Sequence, residues 1–93
     1  MSKENVIKNF LNNLDGATPL RNISNGLNTY KGRTLYTNGN KLINYNTIIA
    51  RLDGNILHLN IKKYSSTTSH IQSQIRRIAS SMGLEIVERM GEC

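Results

Sequence analysis

From Ser2 onward the apolar residues Val6, Ile7, Phe10, Leu11 and Leu14 recur at three- and four-residue intervals until Asp15 and Gly16 interrupt them. That spacing puts one apolar stripe along one side of a helix. Ser2 stands where an N-cap belongs, with Glu4 in the first turn, so the pattern predicts a first helix running up to Asp15-Gly16. The next segment, ATPLRNISNGLNTYKG, holds the only proline, Pro19, among Asn and Gly residues that favour turns. It reads as a connector with room for one short strand.

Alternation then replaces helical spacing. Asn38-Gly39 separates RTLYT from NKLINYNTIIARL, and Asp53-Gly54 separates that segment from NILHLNIKKY. Both dipeptides are preferred in two-residue hairpin turns because they tolerate positive φ. A three-stranded antiparallel meander is the expected product. With both loops tight, Thr37 pairs with Asn40, Leu35 with Leu42, Leu52 with Asn55, Ala50 with Leu57, and Ile48 with Leu59. Strand alternation gathers Leu35, Leu42, Ile48, Ala50, Leu52, Leu57, Leu59 and Ile61 on a core face. The opposite face collects Tyr36, Lys41, Ile43, Tyr45, Thr47, Ile49, Arg51, Ile56, His58, Asn60, Lys62 and Tyr64. A bulge near Asn44-Tyr45-Asn46 would change part of this parity.

After the hydroxyl-rich stretch YSSTTSH, residues 64 to 70, Ile71, Ile75, Ile78, Ala79 and Met82 return to helical spacing, and Gly83 stands at a C-cap position. Any of Ser66, Thr67, Thr68 or Ser69 is suited to cap that second helix, since a side-chain oxygen replaces water on amides lacking an intrahelical partner. LEIVERM alternates again and predicts a last strand. The fold class is α+β: N-terminal helix, three-stranded antiparallel meander, second helix and C-terminal strand, in a single domain over residues 1–93.

The chain is 38% apolar and carries a net charge of +6. It is too hydrophobic for a disordered chain and lacks the roughly 18-residue apolar run of a membrane helix, and MSKENVIKNF has no signal-peptide core. A cytoplasmic protein is expected. Cys93 is the lone cysteine, which excludes an internal disulfide and leaves a free thiol. Between Gly16 and Leu84 the cations Arg21, Lys31, Arg33, Lys41, Arg51, Lys62, Lys63, Arg76 and Arg77 face Asp53 alone. Such an imbalance favours polyanionic partners, nucleic acid first.

Catalytic residues are sparse. His58 and His70 have no acidic neighbour at a recognisable spacing, Asp53 belongs to a turn and Asp15 to a helix end, and no triad, carboxylate pair or phosphate loop occurs. No catalysis, metal or cofactor is expected. The start of the second helix is richer: free amides, the hydroxyls of Thr67, Thr68 and Ser69, and the nearby Lys62, Lys63, Arg76 and Arg77 suit an anion. In that reading Lys62, Tyr64, Thr68, Ser69 and Arg76 share one surface. In the plainer reading the hydroxyls cap, the lysines end a strand in water, and the arginines ride on the outer helix face. Tyr45 and Tyr64, with Tyr36, stand among Lys41, Arg51 and Lys62 on the mixed sheet face, a combination that stacks bases and neutralises phosphates.

LYTNGNKLINYNTIIA followed by KKYSSTTSHIQSQIRR, residues 35–50 and 62–77, resembles a family of small, functionally uncharacterised bacteriophage and prophage proteins. Its pattern is a Tyr-x-Asn/Asp-Gly hairpin, a Leu-x-x-Tyr-x-Thr-x-Ile-Ala strand, then Lys/Arg-Tyr-Ser-x-Thr-Thr-Ser and an Arg-ended helix. The resemblance picks out Gly39, Leu42, Tyr45, Thr47, Ile49, Ala50, Tyr64, Ser65, Thr67, Thr68, Ser69 and Arg76 or Arg77. The family's Lys-His after Thr-Thr-Ser is replaced here by His70 directly. The resemblance implies phage origin and no stated activity. Two expectations follow. One is a non-enzymatic inhibitor of a host defence nucleoprotein, of the anti-CRISPR kind, acting in the bacterial cytoplasm on that complex or its nucleic-acid-binding surface. The alternative is a free-standing phage nucleic-acid-binding module.

Overall fold

The computed structural model describes residues 1–25 and 28–92, and the side chains of all of these except 23–31; the expected free thiol of Cys93 lies outside the described residues. Helix α1 spans Lys3–Leu11, capped by Ser2, whose Oγ accepts from the Asn5 amide at 3.2 Å. Val6, Ile7, Phe10 and Leu11 are its buried stripe, each contributing about 1.5–3 kcal/mol of apolar burial. The helix ends a turn earlier than its sequence pattern predicts. Asn13 takes φ 59, which lets the Leu14 amide reach the Asn9 carbonyl at 2.8 Å and the Asn13 amide reach Phe10 at 3.1 Å. This is a Schellman closure with Asn in the left-handed position. It turns Leu14 away, 58% exposed.

The connector holds two strands rather than one. Strands β1 (Arg21–Asn25) and β2 (Asn28–Gly32) pair antiparallel, from Arg21 opposite Gly32 to Asn25 opposite Asn28, as a separate two-stranded sheet.

The main sheet has five strands in the order β3 (Leu35–Asn38), β4 (Lys41–Asn44), β5 (Thr47–Asp53), β6 (Ile56–Asn60) and β7 (Glu85–Arg89). The meander therefore has four strands, not three. The segment expected as one long strand folds back at Tyr45-Asn46, with Asn44 opposite Thr47 and Tyr45 at φ 57. No glycine marks this turn. The two turns that glycine does mark are displaced from the expected register: Gly39 and Gly54, at φ 64 and 58, occupy the first central position, followed by Asn40 and Asn55. That is the arrangement of Gly-X hairpin loops. Leu42 consequently meets Thr37, Leu35 meets Asn44, and Ala50 and Leu52 meet Leu59 and Leu57. Each partner moves by two residues, so none of these side chains changes face.

A bulge does change faces, within β5 rather than around Asn44-Tyr45-Asn46. Leu42 pairs with Ala50 but Ile43 with Ile48, leaving Ile49 as the extra residue. Ile49 joins Ala50 in the core with no exposure, and Ile48 moves to the opposite face.

Helix α2 (Ser66–Ser81) connects β6 to β7, which pair in parallel. Its last turn closes through Gly83, at φ 77, with the Leu84 amide on Ala79 and the Gly83 amide on Ser80, both at 3.1 Å. Ile71, Ile75 and Ala79 of α2 join the α1 stripe and Leu35, Leu42, Ile49, Ala50, Leu52, Leu57 and Leu59 of the sheet in one core. Both helices lie on that side. Among the described residues, no helix covers the other face of the sheet.

Candidate nucleic-acid interface

The cap of α2 is Ser65, one residue before the four candidates. Its Oγ accepts from the Thr68 amide at 3.2 Å and donates to Thr68 Oγ1 at 3.1 Å. Thr68 itself is buried, and its hydroxyl donates to Asn44 Oδ1 at 2.6 Å; Asn44 Nδ2 then donates to the Thr34 carbonyl at 2.8 Å, and the Thr34 amide donates to Thr18 Oγ1 at 3.0 Å. These bonds tie α2 to β4, the entry of β3 and the connector. Burying such groups costs little because each finds a partner. Thr68 therefore faces inward and does not belong to a surface shared with Lys62, Tyr64, Ser69 and Arg76.

Asn60 does similar work at the end of β6. With no exposed surface, it donates from Nδ2 to the Ile48 carbonyl at 3.2 Å and to Tyr64 Oη at 2.9 Å, while Oδ1 accepts from the Lys62 and Gly91 amides at 2.9 and 3.1 Å. Gln72 Nε2 adds bonds to the Asn60 and Lys62 carbonyls at 2.7 and 3.1 Å. The bulge explains part of this demand: ladder pairing of β5 with β6 stops at Ala50 and Leu59, so the Ile48 carbonyl accepts from Asn60 Nδ2 and the Ile48 amide donates, at 3.3 Å, to Glu92 Oε1. The segment leading into α2 is thus pinned while its cations stay in water.

Lys62 and Lys63 are exposed, and Lys62 Nζ lies 5.6 Å from the centre of the Tyr64 ring, a cation–π contact. Thr67 and Ser69 are half-buried, and Ser66 and His70 exposed. Arg76 is engaged by Glu88 Oε1 of β7 at 2.8 Å, whereas among the described residues no carboxylate pairs with Lys62, Lys63 or Arg77. Tyr45, half-buried in its turn, follows the Asn44 that binds Thr68 and so lies at the same end of the sheet as the start of α2. Arg51 lies apart from these, on the helix-free sheet face, opposite Lys41 and His58.

That face contains a cluster with no sign in the local sequence. Arg51 pairs with Asp53; His58 Nε2 lies 3.3 Å from Asp53 Oδ2, and Arg89 Nε donates to His58 Nδ1 at 3.2 Å. An acid thus does reach His58, through the β5–β6 hairpin. The expected register set His58 against Ile49; with glycine first in the turn it faces Arg51, and Asp53 follows two residues later on the same side. Reading Gly54-Asn55 as the loop exposes this much, but Arg89 arrives only through the parallel β7.

Among the described residues, no group of three or more His, Cys, Asp and Glu side chains is arranged to hold a metal ion, and no helix is long and apolar enough to cross a membrane. No family model, curated protein or solved structure matches this chain.

Proposed function

We propose that this protein acts by binding nucleic acid, free or held in a nucleoprotein, and carries out no chemistry on it. The observation that carries the reading is the distribution of cations around a sheet with one helix-free face. Lys41 and Arg51 stand on that face, and Lys62 and Lys63 at its edge lack carboxylate partners among the described residues. Clustered cations on an accessible surface gain free energy by releasing the counterions of a polyanion. The non-enzymatic part of the reading rests on the sparse catalytic residues of the sequence, in which no triad, carboxylate pair or phosphate loop occurs.

We favour the free-standing nucleic-acid-binding module, supported by the cations on and beside the helix-free face; its phage origin and bacterial cytoplasmic setting rest on the sequence resemblance alone. The other form is an anti-CRISPR-like inhibitor that docks on a host defence nucleoprotein. Capture from host lysate with and without nuclease separates them: the module loses its partners on nuclease treatment, and the inhibitor keeps a protein complex. Equilibrium binding to nucleic acid should weaken steeply from low to physiological salt. An affinity that hardly changes over that range refutes the polyanion reading.

A further inference from the structure

Residues opposite one another across the strands stand in rows. On the helix-free face Asp53, Ile56 and Glu85 form the row beside the Gly54 turn; Asn38, Lys41, Arg51, His58 and Val87 form the next; Tyr36, Ile43 and Ile48 form the third, continued by Asn60 and Arg89, whose guanidinium reaches back to His58 in the second row. We propose that this face binds a single-stranded nucleic acid, with Lys41, Arg51 and Arg89 on its phosphates and Tyr36 and Ile48 against its bases. This rests on the nucleic-acid reading above and assigns to it a surface and a strandedness.

The cations are held for the task. Asp53 engages Arg51, and His58 Nδ1 accepts a hydrogen bond from Arg89 Nε, which leaves both terminal nitrogens of that guanidinium for a phosphate. Side chains ordered before binding lose less freedom when the ligand arrives. The carboxylates do not cancel the site: Asp53 is shared between Arg51 and His58, and Glu85 lies in the turn-side row, away from Tyr36 and Ile43.

Shape decides strandedness. Five strands at their normal spacing make a face about 19 Å wide, too broad for a duplex major groove of about 12 Å. A single strand lies across it instead. Its bases are unstacked and free to settle on Tyr36 and Ile48 of the third row, about 7 Å along the strands from the row of Lys41 and Arg51. Tyr36 and Ile48 are half-buried and Ile43 between them is only 9% exposed, so the outer two offer the contact area and Ile43 forms the floor between them.

The test is fluorescence anisotropy with labelled single-stranded RNA and DNA of about 15 nucleotides and the matching duplexes, using the full chain. Single strands should bind more tightly than duplex. Arg51→Gln, Arg89→Gln and Lys41→Gln should each weaken single-strand binding by about tenfold and lower the salt slope by about 0.7, while Arg77→Gln on the outer face of α2 changes little. His58 acts as a positioning residue: His58→Gln keeps an acceptor for Arg89 and should retain affinity, whereas His58→Leu should behave like Arg89→Gln at an unchanged melting temperature. If Arg51→Gln fails to fold, the exposed Arg89 carries the test. Single-strand binding that survives Arg89→Gln and Lys41→Gln but is lost on changing Lys62 and Lys63 overturns the face while the nucleic-acid reading stands. Duplex binding as tight as single-strand binding overturns the strandedness. No binding to any of these probes overturns both readings.

Discussion

Replacing Thr68 by Val removes one hydroxyl from the interior and keeps the branched shape, so it isolates what that hydroxyl does. Thr68 is 3% exposed, donates to Asn44 Oδ1 at 2.6 Å and accepts from Ser65 Oγ at 3.1 Å. Threonine and valine have similar helix propensities, which leaves the hydrogen bonds as the main loss. Without the donor, Asn44 Oδ1 is left buried and unpaired, a penalty of about 1–3 kcal/mol. About 2 kcal/mol in a domain of this size lowers the melting temperature by about 8–16 °C. Ser65→Ala should cost about 1 kcal/mol as a lost cap, and the exposed Ser66→Ala no more than about 0.5 kcal/mol. The Ser65/Thr68 double variant should cost less than the sum, because both changes remove the same contact. Thermal and urea unfolding followed by circular dichroism read all four. A Thr68→Val protein that melts within about 2 °C of the parent, or Ser66→Ala as costly as Thr68→Val, refutes the internal network as the role of the hydroxyl run.

Asn60→Leu should destabilise by about 3 kcal/mol or more, because it strands the Ile48 carbonyl and the Lys62 and Gly91 amides together; a urea midpoint close to the parent's speaks against that hub. Asn13→Gly should raise stability by about 0.5 kcal/mol, since Asn13 holds φ 59 at the end of α1; a lower melting temperature would contradict the Schellman closure. Arg76→Ala should shift stability by less than about 1 kcal/mol, because Arg76 and Glu88 are each about half exposed at 49% and 50%; a larger loss in chemical denaturation would show that the pair is structural.

Local signals in the sequence determined the element types and most of the faces. The period of Val6, Ile7, Phe10 and Leu11, the Ser2 cap, the glycine turns and the stripe of Ile71, Ile75 and Ala79 act within a few residues of chain, and they agree with the α+β arrangement. Even with the pairing slid by two, Leu35, Leu42, Ala50, Leu52, Leu57 and Leu59 stayed in the core, since strand parity survives an even shift. Tertiary structure decided what local signals leave open. Tyr45 accepts a left-handed turn that no glycine announces, and the β5 bulge exchanges Ile48 for Ile49 in the core. Thr68 turns inward because Asn44, 24 residues earlier in the chain, offers it a buried acceptor. His58 meets Asp53 across a hairpin and Arg89 across a parallel crossover, 31 residues away. A hydrogen bond is fixed by distance and direction in space, so partners this far apart along the chain become neighbours only once sheet register and the path of α2 are set.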